Sequence, residues 1–432
     1  MARRNSKPAL CAGVARRIIT PQRPIFQSGY SRDAKSEGVY QQLYARALVL
    51  QDARQTRIAI LTAELLDFSP WLVETIKNGV ARKLGLQSSQ VLLSASHTHC
   101  GPALDDGLAH LYAEIDQPYS RWLADECVAV ICEAARRPVP VTARFATGRA
   151  AFGINRRRPD FPDCPMEPNP EGRHDPDVAI LKLTTEAGAP VAILFSYACH
   201  PTTMGGQLIG GDYPGQAQLQ LEMAFPGANA MFLAGCFGDI RPRMIHANGK
   251  FTAGTIEDVR MLGRDLALAV LAGLAGPPRD ITGSLYHHLE TVQLPYQKRP
   301  TVAELQKRRA GSDKWEAGWI ERMLKRLQQG ERLPSTRPAT VQAFGIGPFR
   351  LIAFNDEMCV GYQIALKRRL APAPVLVSAY CGISRAYVPT ADLIPEGGYE
   401  VIGSNWIYNE PAPLAPRTER ILLAAALRLA RG

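Results

Sequence analysis

The sequence predicts an α/β fold with a mixed, largely parallel sheet flanked by helices. Short β-branched and apolar runs alternate with stretches of helical periodicity, which is typical of strands joined by crossover helices. The composition is that of a globular protein, with 46% hydrophobic and 21% charged residues. A chain of 432 residues allows two or three domains, but the alternation continues along it, and we expect one α/β domain over residues 1–432.

The clearest local unit is a strand, a helix and a second strand. Arg57–Leu61 is β-branched and apolar, and Val91–Ala95 has the composition of a buried strand. Between them, Ser69 is a predicted N-cap and Pro70 occupies the first helical position. Apolar residues at helical spacing continue over Trp71–Lys83. The three segments predict a βαβ crossover with parallel strands.

The same alternation continues along the rest of the chain. The further predicted strands are Val191–Ser196, Ala230–Ala234, Phe349–Phe354 and Val375–Tyr380. The further predicted helices are Gly215–Phe225, Ile256–Leu274, Cys359–Leu370 and Glu419–Arg431. A helical insertion is predicted at 296–340, where Trp315 and Trp319 stand among many charges. It is interpreted either as a lid or as a surface excursion.

Charge and cysteine usage exclude several classes of protein. The formal charge of +10 is spread along the chain without a basic-aromatic module, so we expect no nucleic-acid partner. The longest apolar run, Leu266–Gly276, is too short to span a bilayer, so we expect no membrane insertion. Nine scattered cysteines and the lack of a secretory signal segment predict a cytoplasmic protein. Nothing in the sequence indicates an oligomeric state.

Polar residues follow the predicted strands directly. They are His97 and His99 after the strand 91–95, His200 after 191–196, Asp239, Arg241 and Arg243 after 230–234, Glu357 after 349–354, and the loop with Tyr387 after 375–380. Ligands of α/β sheets bind beyond the carboxyl ends of the strands. The sequence therefore predicts one site built from these residues.

Histidines with a carboxylate are the ligands that zinc prefers. The spacing of His97 and His99 puts both imidazoles on one side of an extended segment, so both can ligate a metal. Alternatively, one ligates while the other handles protons. A third interpretation is that these histidines only form hydrogen bonds, since no HExxH motif is present.

Several motifs in this order resemble the neutral/alkaline (non-lysosomal) ceramidase family. They are Ser96-His97-Thr98-His99-Cys100-Gly101-Pro102, Gly153-Ile154-Asn155-Arg156, Cys199-His200-Pro201, Gly238-Asp239-Ile240-Arg241-Pro242, Glu357 after its strand, and Tyr387-Val388-Pro389-Thr390. The resemblance runs through nearly the whole chain and implies a neutral-ceramidase-like catalytic domain.

The resemblance also implies roles for individual residues. It implies a zinc ion held by His97, His200, Glu357 and Tyr387. It implies that His99 handles protons, that Arg156 orients the substrate and that Tyr399 donates to the scissile carbonyl. We count Asp239 with these catalytic residues, and we expect Asn155 to bind substrate.

This chain departs from the family at Arg241, which occupies the place of a serine. With Arg243 it is predicted to pair with a carboxylate or phosphate of the substrate, or else to brace its loop through Asp239. We therefore predict a zinc-dependent hydrolase that cleaves a linear N-acyl amide bond in a soluble, anionic small molecule, by attack of zinc-activated water. The alternatives are a true ceramidase or sphingolipid amidase, a zinc lactonase or esterase, and a non-catalytic metal-binding homologue.

Overall fold

The structure, a computed structural model, describes residues 10–104, 108, 111 and 114–431. The helices in these residues are α1 (Pro70–Leu84), α2 (Gln117–Arg136), α3 (Asp212–Ala224), α4 (Ile256–Ala275), α5 (Val302–Arg309), α6 (Lys314–Gln328), α7 (Val360–Leu370), α8 (Ser404–Tyr408) and α9 (Arg417–Leu429). A single π-helical turn, Tyr399–Gly403, precedes α8.

The strands form three larger sheets and three small ones. The first sheet has the order β5 (Val91–Ala95), β4 (Arg57–Ala63), β3 (Tyr44–Asp52), β1 (Leu10–Ile18), β6 (Val139–Pro140). The second has the order β13 (Asn229–Ala234), β11 (Pro190–Tyr197), β10 (Asp177–Thr184), β7 (Thr142–Arg149), β15 (Arg279–Ile281). The third has the order β16 (Leu285–Pro295), β17 (Thr336–Ile346), β18 (Phe349–Phe354), β20 (Val375–Ser378). The small sheets are β12 (Leu208–Ile209) with β2 (Gly38–Val39), β14 (Ile240–Pro242) with β8 (Gly153–Arg157) and β9 (Met166–Asn169), and β19 (Glu357–Met358) with β21 (Tyr387–Val388).

The three larger sheets share one plan. In each, three strands taken in chain order pair antiparallel, each with the next strand of its own sheet, and a fourth returns through a helix to lie parallel to the third. The crossover helices are α1, α3 and α7. The first strands of the three units begin at Leu10, Thr142 and Leu285. The chain therefore repeats one four-stranded topology three times.

The predicted mixed α/β fold is confirmed, but parallel pairing is less extensive than expected. In the larger sheets it is confined to the pairs β4–β5, β11–β13 and β18–β20, which are the pairs predicted from the sequence. The other strands of these sheets pair antiparallel. For the pairs β3–β4, β10–β11 and β17–β18 the reason is the short connections at 53–56, 185–189 and 347–348, because a parallel return needs a long crossover.

The inner faces of the three sheets pack against one another in a common core. Leu50 of the first sheet, Leu194 of the second and Leu351 of the third belong to this cluster. The outer faces are covered by helices: α1 and α2 on the first sheet, α3 and α4 on the second, and α7 and α9 on the third. Burial of these apolar faces is the main force that holds the sheets together.

The carboxyl ends of the parallel strands meet at one end of this core. The backbone N–H of Ala95, at the end of β5, donates to the carbonyl of Tyr380 over 3.1 Å. The N–H of Ala379 donates to the carbonyl of Ala234, at the end of β13, over 2.8 Å. These bonds bring the polar segments that follow the three crossovers into one place.

The predicted insertion corresponds to the connection between β16 and β17, which contains α5 and α6. The region predicted as 296–340 extends five residues into β17, which begins at Thr336. Trp319 is buried in a small separate core, and its indole N–H donates to the carbonyl of Glu410 over 2.9 Å.

No helix in the described residues is long and apolar enough to cross a membrane. All nine cysteines fall within the described residues, and each is unpaired.

Candidate active site

Two histidines of the site are held in one tautomer by backbone carbonyls. Nδ1 of His97 lies 2.8 Å from the carbonyl oxygen of Leu66, and Nδ1 of His200 lies 2.6 Å from that of Phe237. Because a carbonyl oxygen only accepts, each Nδ1 carries the proton, and in the neutral ring Nε2 keeps a free lone pair. This arrangement is typical of imidazoles that bind metals.

The two Nε2 atoms face the carboxylate of Glu357. Oε2 of Glu357 lies 3.4 Å from Nε2 of His97 and 3.3 Å from Nε2 of His200. The hydroxyl oxygen of Tyr387 lies 3.4 Å from Nε2 of His200. Tetrahedral zinc with bonds of about 2.0–2.1 Å separates its ligand atoms by about 3.3–3.4 Å. The donor atoms therefore have both the chemistry and the spacing that such an ion needs.

Burial controls the charge of these groups. It lowers the pKa of His200 to about 4, with a further contribution from the charge of Arg156. Burial alone would raise the pKa of Glu357, but the positive charge that His97 and His200 carry when protonated holds that pKa well below its usual value. A neutral imidazole beside a carboxylate is the state in which both groups ligate a cation.

His99 lies beside these ligand atoms, and both of its ring nitrogens are available to a bound molecule. One nitrogen each from His97, His99 and His200 lie within 4.8 Å of one another. Neither ring nitrogen of His99 has a hydrogen-bond partner in the described part of the chain. Burial lowers its pKa well below the usual value, so the ring is neutral at neutral pH. A Cβ on Gly29 would lie 2.5 Å from the His99 ring, so this position needs glycine.

These residues line a cavity of about 130 Å³. Its polar lining is His97, His99, Glu357, Tyr387, Tyr399, Tyr408, Tyr30 and Ser31, and its apolar lining includes Leu66, Leu108, Leu111, Trp315 and Ile407. Trp315 comes from α6, so the insertion forms part of the cavity wall. The structure thus brings together the four expected ligands, His99 and Tyr399.

Arg156 is placed behind the cavity rather than in it. Its Nε donates to Oε1 of Glu400 over 2.8 Å, and its Cζ lies 5.5 Å and 5.7 Å from the ring centres of Tyr387 and Tyr399. It does not appear among the residues that line the cavity. Arg156 therefore contacts the two tyrosines that line the cavity, and its role in orienting a substrate stays a prediction.

Asp239 and Asn155, predicted as catalytic and substrate-binding residues, also lie outside the cavity. Oδ1 of Asp239 accepts from the backbone N–H of Val360 over 2.7 Å, and Oδ2 accepts from the amide of Asn155 over 3.3 Å. The backbone carbonyl of Asp239 accepts from the N–H of Arg156 over 2.9 Å. These bonds join β8, β14 and α7 and hold the backbone that carries Arg156.

Arg241 and Arg243 do not reach the cavity either. Arg243 is exposed. The guanidinium of Arg241 lies 4.4 Å from the ring centre of Phe251, in a groove next to the cavity. Among the described residues it forms no ion pair, so it does not brace its loop through Asp239. The alternative of a bracing ion pair is therefore wrong.

Three residues of the site were missed from the sequence: Tyr30, Tyr408 and Glu400. The ring of Tyr30 lies 4.7 Å from that of His99, and the hydroxyl of Tyr408 donates to Oε1 of Glu357. Glu400 accepts from both Arg156 and Arg157. None of them follows a strand of the three crossovers. The search for polar residues directly after predicted strands therefore could not find them.

Comparison with known proteins identifies the class to which this fold and site belong. The family model described as "Neutral/alkaline non-lysosomal ceramidase, N-terminal" matches residues 12–256. The chain therefore belongs to this ceramidase family, as the motifs had indicated.

Two solved structures share the fold. Neutral ceramidase from Pseudomonas aeruginosa is similar with a TM-score of 0.77 and 18% identity, over 98% of this chain and 74% of that one. A ceramidase complexed with C2 is similar with a TM-score of 0.77 and 16% identity, over 98% of this chain and 75% of that one.

Proposed function

We propose that this protein is a zinc-dependent amidase that hydrolyses a linear N-acyl amide. The observation that carries the proposal is the convergence of three lone-pair donors, Nε2 of His97, Nε2 of His200 and Oε2 of Glu357. Nδ1 of each histidine holds the ring's proton, so the neutral rings place no hydrogen between these atoms. Such an arrangement is repulsive without a cation. Tyr387 completes a set of four ligands.

A divalent ion bound by these residues supplies a Lewis acid for an amide carbonyl and lowers the pKa of water beside it. His99, with both ring nitrogens unpartnered, accepts a proton from the attacking water and returns it to the leaving amine. Tyr399 lines the cavity next to Tyr387 and donates its hydroxyl hydrogen to the developing oxyanion. Burial keeps the pKa of Tyr399 well above its usual value, so the hydroxyl retains this hydrogen.

The apolar wall of Trp315, Leu111 and Ile407 suits the acyl half of the substrate. The test is hydrolysis of N-acyl 7-amino-4-methylcoumarins with acyl chains of increasing length, by the zinc-loaded protein. We expect turnover by the wild type and its loss in Glu357→Gln, with unchanged thermal unfolding of the variant as the control. Equal turnover by the variant would contradict the proposed role of Glu357.

A ceramide is the second candidate substrate, because the chain belongs to the ceramidase family and Trp315 gives the cavity an apolar wall. A short-chain fluorescent ceramide in the same assay separates the two. Cleavage of ceramide alone would favour a true ceramidase, and cleavage of esters or lactones alone would favour an esterase or lactonase. Stoichiometric zinc without turnover of any substrate would indicate a metal-binding homologue.

A further inference from the structure

A second groove adjoins the cavity and shares one wall with it. It is lined by segment 30–34, by Thr202, by the loop 205–207, by Arg241 and by segment 251–253. Tyr30 and Ser31 line both the groove and the cavity. Since the Tyr30 ring packs 4.7 Å from the His99 ring, the two spaces adjoin on the His99 side of the cavity.

Arg241 is the cation of this groove that has no counter-ion in the described residues. Its Nε is buried without a hydrogen-bond partner, and its guanidinium lies against the Phe251 ring at 4.4 Å. The charged side chain that acts on Arg241 is Arg156, and because both are positive the two guanidinium groups repel each other. A partly buried guanidinium without an acceptor is unfavourable, and an anion that supplies the acceptor relieves the cost.

The other charged residues of the groove do not fill this role. Arg32 lines it, but its guanidinium donates to the backbone carbonyls of Gly206, Ser28 and His99. Asp33 also lines the groove, and its side chain is exposed to solvent and forms no ion pair with Arg241. The inner end of the groove is therefore positive.

We propose that this groove binds an anionic oxygen group, a carboxylate or a phosphate, carried on the amine half of the substrate. The inference rests on the proposed amidase function and adds the orientation of the substrate to it. The acyl half lies against Trp315 on the apolar side. The amine half leaves past His99, which returns the proton to it, and its anionic group reaches Arg241 beyond Tyr30. The substrate class is thus an N-acyl amino acid or an N-acyl aminoalkyl phosphate.

The experiment compares pairs of substrates in which one amine half carries an anionic group and the other does not. N-dodecanoylglycine is paired with N-dodecanoylglycinamide, and N-dodecanoyl phosphoethanolamine with N-dodecanoylethanolamine. The zinc-loaded variants are Arg241→Gln, Arg241→Lys and, as the matched control, Arg243→Gln, which removes the same charge from an exposed position. Thermal unfolding of each variant checks that it is folded.

We expect the kcat/KM of the wild type to be on the order of tenfold to a hundredfold higher for the anionic member of a pair. This factor corresponds to the free energy of one hydrogen bond to a charged group. In Arg241→Gln this preference falls, because KM rises more for the anionic member of a pair than for the neutral member. Arg241→Lys keeps part of the preference, and Arg243→Gln keeps all of it. The glycine and phosphoethanolamine arms show which anion is bound.

Equal turnover of both members of each pair, or an equal loss for both in Arg241→Gln, would overturn the inference while leaving the amidase function intact. If no amide is hydrolysed, the amidase function fails, and calorimetric titration of the zinc-loaded protein with phosphoethanolamine and with glycine decides about the groove. The inference is supported if a compound binds to the wild type and to Arg243→Gln but not to Arg241→Gln. No binding of either compound contradicts it.

Discussion

The hydroxyl of Tyr408 donates a hydrogen bond to Oε1 of Glu357, while Oε2 of the same carboxylate faces the imidazoles of His97 and His200. One oxygen is thus held by the protein, and the other is the oxygen that binds the cation in our proposal. Tyr408 is the last residue of α8, which packs against α6 of the insertion. The insertion therefore contributes to the proposed metal site in two ways: it packs against the helix that carries Tyr408, and it forms part of the cavity wall.

Replacement of Tyr408 by Phe removes this bond and frees the carboxylate to rotate. We expect zinc affinity to fall by roughly tenfold to a hundredfold, as for other partners that orient a ligand. Competition with a chromophoric chelator measures the dissociation constant. Tyr286→Phe is the control, since its hydroxyl lies 3.4 Å from the carbonyl of Ala430, outside the site. Equal affinities of Tyr408→Phe and the wild type would show that Glu357 needs no orientation.

Introduction of a Cβ at Gly29 tests the role of His99. Gly29 has φ of 94°, and an alanine there would press on the His99 ring. We expect Gly29→Ala to lose turnover by at least about tenfold, the lower range for a general base, while zinc affinity stays within about threefold. Gly188→Ala is the control, because Gly188 also has positive φ, 83°, with nothing within 4 Å of its Cβ position. A parallel loss of zinc from Gly29→Ala would instead make His99 a ligand.

Arg156 and Glu400 form a buried ion pair beneath Tyr387 and Tyr399. Arg156→Met leaves Glu400 with Arg157 alone, and we expect a loss of about 3–5 kcal/mol in the free energy of unfolding, as for other broken buried pairs. Urea denaturation measures it. The exposed Arg243→Met is the control and should change stability by about 0.5 kcal/mol or less. An equally small effect of Arg156→Met would show that the pair does not stabilise the fold.

Truncation of Trp315 tests the apolar wall. Because Trp315 lines the cavity from α6, Trp315→Ala should lower kcat/KM for long acyl chains by about tenfold or more and spare acetyl substrates. Trp122→Ala, a truncation of an exposed tryptophan in α2, serves as the control. Equal losses for short and long chains in Trp315→Ala would place the acyl chain elsewhere.

Much of the site was predictable because it depends on buried strands. The segments 91–95 and 349–354 form strands with the predicted bounds, since each is an unbroken apolar run. The strand ends then predict that His97, His200 and Glu357 lie at the same end of the fold, although they follow strands of three different sheets, whose meeting point is set by tertiary packing. The strands and their ends follow from local periodicity.

The remaining parts depend on contacts that local pattern does not encode. The strand β16 is half-exposed and carries His287 and His288, so its sequence lacks a buried run. Tyr30 reaches His99 from a loop, and Tyr408 reaches Glu357 from a helix of five residues. The direction of Arg241 is set by Phe251, ten residues further along the chain. Each is decided by tertiary packing.

Anomalous scattering at the zinc absorption edge, measured on crystals of the zinc-loaded protein, tests the central claim most directly. We expect one strong peak within bonding distance, about 2.0–2.2 Å, of Nε2 of His97, Nε2 of His200 and Oε2 of Glu357, with Tyr387 as the fourth ligand. No peak among these atoms, or a peak bound through His99 with Glu357 outside the coordination sphere, would contradict it.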